Sequence, residues 1–177
     1  MREESTHILD RIRSTIPVET GNYPYVCARV KAKKRLLLGP DVYARFLQMD
    51  ISGIARSIGE GQYAEEILNL GTKYSGADLI EMATRNNLAK VFTQILEFSE
   101  GHLRTMISRY LDRWDVWNIK SILRGKFCDA TKEEIFETLI PAGSFTVGFL
   151  ESLLEKETVD EIVEGLKGTI YWESLKE

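Results

Sequence analysis

The chain has 177 residues, of which 44% are hydrophobic, 28% charged and 10% aromatic, a balance that excludes disordered, collagenous and membrane-spanning classes. At this length folding removes roughly 70% of the unfolded chain's surface from water, enough for one domain or two small ones without a disulfide or a structural metal. A net charge of -4, from 23 basic and 27 acidic residues, argues against nucleic acid or anionic lipid as the partner of the whole chain.

Met1-Arg2-Glu3-Glu4 opens with acidic residues where a secretory signal carries positive charge before an apolar block. No apolar run approaches bilayer length, so the expectation is a cytoplasmic protein that meets any membrane from the water side. Cys27 and Cys128 lie far apart, and with only His7 and His102 beside them no ligand spacing for zinc appears.

Four prolines and no hairpin signal make the chain read as all-α. A helix is expected over 25–38, with Val26, Val30 and Leu37 apolar and a stop at Gly39-Pro40, where the proline suits the first turn of the next helix, running to about Met49. Asp50 caps a short third helix whose Ile51, Ile54, Ala55 and Ile58 form one stripe, ended by Gly59 and Gly61. Ser75 and Asp78 form a Ser-x-x-Asp start for a long helix carrying Leu79, Met82, Leu88, Val91, Phe92, Ile95 and Leu96. Gly101 marks a turn, and a second stripe from Leu103 through Trp114 and Ile119 to Leu123 runs to a glycine stop at Gly125. These two helices are expected to pack as an antiparallel pair. Thr131 with Glu134 and Thr158 with Glu161 form capping boxes for short helices, separated by the Pro141-Ala142-Gly143 turn. The last nine residues carry no cap or stop.

Shifting the chain by 108 lays Asp50 on Thr158, Ile54 on Ile162, Ile58 on Leu166, Val42 on Leu150, Phe46 on Leu154 and Tyr63 on Tyr171. Cap, stripe and trailing tyrosine coincide, the signature of an internal repeat whose second copy the chain leaves part-way through.

Few residue patterns carry chemistry. Gly59-Glu60-Gly61-Gln62-Tyr63-Ala64 fits a dinucleotide fingerprint, but a helix precedes it where that motif needs a strand, so the glycines read as a helix stop. Arg29, Lys31, Lys33, Lys34 and Arg35 put five positive charges in seven residues, with Tyr23 and Tyr25 just upstream. The readings are a solvated helix face, a contact for an acidic protein, or a nucleic-acid site. In the run Arg113 to Lys120 the tryptophans Trp114 and Trp117 are expected in the core, with Asp115, Asn118 and Lys120 satisfying one another or a neighbouring helix. Asp115 has no second carboxylate or histidine at i+3 or i+4 with which to share a proton or a metal, and His102 is solitary. Glu65-Glu66 and Glu133-Glu134 read as solvated charge at helix starts.

Taken as strings, Tyr23-Pro24-Tyr25-Val26-Cys27-Ala28-Arg29-Val30-Lys31-Ala32-Lys33, then Trp114-Asp115-Val116-Trp117-Asn118-Ile119-Lys120-Ser121-Ile122-Leu123-Arg124-Gly125-Lys126, then Leu139-Ile140-Pro141-Ala142-Gly143 resemble the C subunit of the archaeal, A-type ATP synthase and its relative, the d subunit of the vacuolar proton pump. The resemblance covers nearly all of residues 22–177. It implies an all-α helical bundle of repeated modules, about three arranged as a funnel, of which this chain is the first half: a 1–21 extension, a first module over 22–126 and a partial second over 127–177.

The implied role is mechanical. A family member of this kind is a non-catalytic socket at the foot of the central stalk, holding the end of the rotating axle and sitting on the cytoplasmic face of the membrane rotor ring, as a peripheral protein with no span of its own. Its partners are then the axle subunits and the ring, not nucleic acid, and it needs no cofactor and no metal. Trp114, Asp115, Trp117, Asn118 and Lys120 are assigned to holding helices in register, and Arg29, Lys33, Lys34 and Arg35 to rim contacts. The competing readings are an independent helical adaptor that binds an acidic protein or RNA through 23–35, and a small metabolic enzyme, which would need clustered ionisable groups.

Overall fold

The computed structural model describes residues 21–176; the extension expected at 1–21 lies, apart from Gly21, outside the described residues. These residues form helices and no strand. The order is α1 (Tyr23–Lys34), α2 (Pro40–Phe46), α3 (Ile51–Gly59), α4 (Ala64–Leu70), α5 (Gly76–Glu97), α6 (Gly101–Phe127), α7 (Lys132–Thr138), α8 (Val147–Leu154) and α9 (Val159–Gly165), then a 3-10 turn at Trp172–Ser174.

Local signals start most of these helices. Asp50 accepts the Gly53 N–H at 2.9 Å, and Thr131 and Glu134 close a full capping box on α7. Thr158 accepts the Glu161 N–H at 3.2 Å, but the Glu161 carboxylate reaches back to the N–H of Glu157 rather than to that of Thr158. Ser75 makes no capping bond: Gly76 enters α5 at φ +60°, a left-handed turn open to glycine that sets the helix away from the serine side chain. No cap announces α4, whose Tyr63 makes no side-chain capping bond.

Gly125 is not a stop. It lies inside α6, where a Cβ would come within 2.7 Å of Ile135 Cδ1, so a side chain of α7 packs directly onto the α6 backbone there. The helix runs on to Phe127 and is closed at Asp129, φ 54°, where Ala130 N–H bonds Gly125 O and Asp129 N–H bonds Lys126 O. These are the paired bonds of a Schellman motif.

The main core gathers Ile119 and Ile122 of α6, Ile135 and Leu139 beside α7, Leu150 and Leu153 of α8, and Ile162 and Leu166 at α9. Each fully buried side chain of this size contributes about 1.5–3 kcal/mol. α5 instead packs on α3 and α4. The expected antiparallel contact between α5 and α6 is sparse: Ile140 and Ala142 pack with Ala89 of α5 and with Trp114 of α6, and Arg85 of α5 donates to Glu137 O. The segment after α7 thus wedges against a few members of both stripes, others being covered elsewhere. Glu66 departs from its expected solvation, being buried at the start of α4 with its carboxylate 3.1 Å from Lys90 Nζ, which also holds Glu65.

The 108-residue shift carries α3 onto α9 at the same first residue and α2 into α8, and the bond from Gly53 to Asp50 onto that from Glu161 to Thr158. Burial differs between the two. Leu150, Leu154 and Ile162 are buried, whereas Val42, Phe46 and Ile54 are only half covered.

Candidate functional site

Asp115 and Asn118 stand three residues apart on α6 and therefore on one face of it. Both side chains are fully buried, facing the segment that leaves α7 and turns through Pro141 to α8. Asn118 holds the backbone of Ile140 from both sides, donating from Nδ2 to its carbonyl and accepting its N–H, each at 2.8 Å. Three residues further, the Asp115 carboxylate accepts the Ser144 N–H at 2.9 Å, the Ser144 hydroxyl at 2.5 Å and the Phe145 N–H at 3.1 Å. Gly143 passes so near Asp115 Oδ1 that any Cβ would overlap it.

A fourth donor arrives from the far end of the chain. Tyr171 Oη lies 3.3 Å from Asp115 Oδ2 and 3.2 Å from the Asp112 carbonyl. Burial, then the charges of Asp115 and Asp112, hold the Tyr171 hydroxyl well above its ordinary value, so it stays a donor. The carboxylate thus accepts four hydrogen bonds from the chain itself, three on Oδ2 and one on Oδ1. Donors fixed on both oxygens lock geometry rather than leave the group free to work as a base.

The other members of the tryptophan run divide. Trp117 is half exposed rather than in the core, with its indole N–H donating to Thr138 O at 3.3 Å. Trp114 packs against Ile140 and Ala142, its indole nitrogen buried without a partner. Lys120 is exposed and takes no part.

The basic residues of α1 do not form one patch. Arg29 donates to Tyr25 Oη at 2.7 Å and lies 4.6 Å over the Phe98 ring. Lys33 donates to Gln94 Oε1 at 2.5 Å. Both hold α1 onto the end of α5. Lys34 and Arg35 are exposed, and neither has an ion pair among the described residues. Beside Lys33 and Lys34 an apolar groove of about 370 Å³ runs between α1 and α5, lined by Val30, Leu37, Leu88 and Val91.

Sequence reasoning missed Asn22, which donates to Phe98 O at 2.8 Å and accepts the Glu100 N–H at 3.1 Å, pinning the start of α1 to the α5–α6 turn. It also missed Ser144 and Tyr171 as partners of Asp115. No spacing rule links residues 29 and 56 positions apart; only the aspartate's helical register was readable. The Gly59 to Ala64 run joins two helices, α3 and α4. Among the described residues no three carboxylate, imidazole or thiol groups converge as a metal site would require, and no helix is long and apolar enough to cross a membrane.

The model of the family described as ATP synthase (C/AC39) subunit matches residues 26–177. The chain belongs to that family. It is 46% identical over 158 residues to the A-type ATP synthase C subunit of Methanococcoides burtonii, covering 89% of this chain and 44% of that protein. The C subunit of the Methanosarcina acetivorans A-type ATP synthase is 44% identical over 158 residues, with the same coverage. That of Haloferax volcanii is 40% identical over 154 residues, covering 87% of this chain and 44% of the relative. The chain therefore spans less than half the length of these C/AC39 relatives, and the family match over 26–177 contains the whole Asp115 clamp.

Proposed function

We propose that this chain is a non-catalytic central-stalk subunit of an A/V-type rotary ATP synthase, coupling the rotating axle to the membrane rotor ring from the cytoplasmic side of the membrane. Membership of the C/AC39 family supports the assembly. The observation that carries the mechanical role is the buried Asp115 carboxylate with its four donors. Torque passes through a coupler only if its helices do not slide or twist past one another, and close-packed interiors resist such shear. Apolar contacts alone are non-directional, so they permit sliding that oriented buried hydrogen bonds forbid. Asp115 and Asn118 supply those bonds between α6, the entry to α8 and the C-terminal Tyr171.

In this reading the chain provides the module over 22–126 and part of a second over 127–177, Trp114, Asp115, Trp117 and Asn118 keep helices in register, and Lys34 and Arg35 are the rim cations that remain for a partner. Arg29 and Lys33 are engaged within the chain, which weakens the adaptor reading through 23–35. The test is recovery of membrane ring and axle subunits on the tagged chain, repeated with Lys34→Glu and Arg35→Glu together. Co-recovery that falls several-fold in the double variant is expected. Failure to recover either partner refutes the stalk role, unchanged recovery removes the rim assignment, and salt-sensitive RNA binding through the same two cations favours the adaptor instead.

A further inference from the structure

The outward face of α6 carries large side chains at alternating steps of four and three: Met106, Tyr110, Arg113, Trp117, Lys120, Arg124 and Phe127. All seven are exposed, Met106 at 53%, Tyr110 at 58%, Trp117 at 50% and Phe127 at 85%. A four-three alternation averages 3.5 residues, the spacing of a seam that meets another helix along its whole length. Over these residues the seam is about 30 Å long at 1.5 Å per residue.

Its charge is one-signed. α6 has two carboxylates: Asp115 is buried, and Asp112 is largely covered and paired with Arg109. No acidic side chain of the helix is exposed, while Arg113, Lys120 and Arg124 lie within the seam and make no ion pair among the described residues. This stands out in a chain whose net charge is -4. The anchors are also pre-set. Arg113 stacks 4.2 Å over the Tyr110 ring and donates to its hydroxyl at 2.6 Å, and the Thr138 carbonyl fixes the Trp117 ring. Tyr, Trp and Arg held in place lose little freedom on binding and dominate interfaces.

We propose that this face is a docking seam for an amphipathic α-helix of a partner protein, apolar along its own seam and glutamate- or aspartate-rich beside it. The proposal deepens the stalk reading, on which it rests for the partner's setting, by naming that partner's chemistry. A lipid surface fits worse, because Arg113 and Lys120 flank the central Trp117 of the strip, where an apolar phase would strip them of water with nothing to pair them. Opposed carboxylates pair them directly. A nucleic acid would leave Met106 and Phe127 unused.

The probe is a fluorescein-labelled 28-residue helix with leucine at the seam positions and glutamate beside them, compared with the same helix carrying lysine there. The wild-type chain binds the acidic helix, with binding falling as salt rises. Lys120→Glu with Arg124→Glu weakens it at least tenfold, and Arg45→Glu with Arg56→Glu, exposed on α2 and α3, leaves it unchanged, each variant being checked for fold by circular dichroism. No binding, equal binding of the lysine helix, or equal binding by the α6 variant overturns the proposal. So does displacement of the helix by phosphatidylglycerol vesicles or poly(U) RNA acting through Lys120 and Arg124. Absent helix binding with ring and axle subunits still recovered rejects the seam alone, whereas helix binding without their recovery rejects the stalk role alone.

Discussion

Replacing Asp115 by alanine removes one acceptor from four donors at a fully buried position. The donors do not suffer equally. Ser144 is exposed, so water replaces the carboxylate there, and what is lost is the strength of two bonds to a charged acceptor. Tyr171 keeps the Asp112 carbonyl. The Phe145 N–H, at a buried residue, is left stranded, at about 1–3 kcal/mol. The Ser144 bonds are worth about 1.5–3 kcal/mol each before rehydration, and relief from burying a carboxylate offsets several kcal/mol. The net expectation is a loss of about 3 kcal/mol from a total stability on the order of 5–15 kcal/mol. Asp115→Asn keeps the shape but turns one acceptor into a donor facing donors, so it should fall between alanine and wild type. Urea unfolding followed by far-UV circular dichroism measures both, and amide exchange over 138–145 localises the loss. If the alanine variant lies within 1 kcal/mol of wild type, or asparagine matches aspartate, the carboxylate is not what holds the helices together.

Two further outcomes follow from particular contacts. Gly125→Ala should destabilise by about 1–3 kcal/mol through overpacking against Ile135, where an open helical glycine would gain from alanine; the penalty should shrink in an Ile135→Ala background, and additive losses in a double-mutant cycle would disprove the contact. Thr131's backbone N–H, then its hydroxyl, hold the Glu134 carboxyl below its ordinary value of 4.5. A depressed folded value stabilises α7 above the unfolded value, and that contribution disappears as pH falls through the folded one. Amide protection in α7, taken relative to the intrinsic exchange rate at each pH, should accordingly fall below about pH 4.5 in wild type and show no such step in Glu134→Gln; an NMR midpoint for Glu134 at or above 4.5 would contradict the capping box.

Much of the helical layout was readable in the string because it rests on interactions that reach three or four residues. Asp50, Thr131 and Thr158 cap the helices they announce, and Pro40 opens α2 after Gly39 as expected, although α1 ends at Lys34 rather than running to the Gly39-Pro40 stop. A side chain and a backbone N–H three residues on are held together by covalent geometry, so no distant partner is needed to decide the outcome. The family was legible for a different reason: the tryptophan run and the Leu139 to Gly143 turn are the two halves of one clamp, and both strings stand unbroken in the sequence.

What the string could not decide was every question of who faces whom. Gly125 looks like any helix-ending glycine until Ile135 is brought against it. Glu66 looks solvated until Lys90 arrives from α5. Arg29 and Lys33 look like free cations until Phe98 and Gln94 occupy them, and Trp117 looks like core until the Thr138 carbonyl holds its half-exposed ring. In each case the deciding neighbour lies ten or more residues away. Local bonding selects helices along this chain by itself, but burial and pairing belong to the packed molecule, because only packing sets which apolar stripe, cation or carboxylate is removed from water.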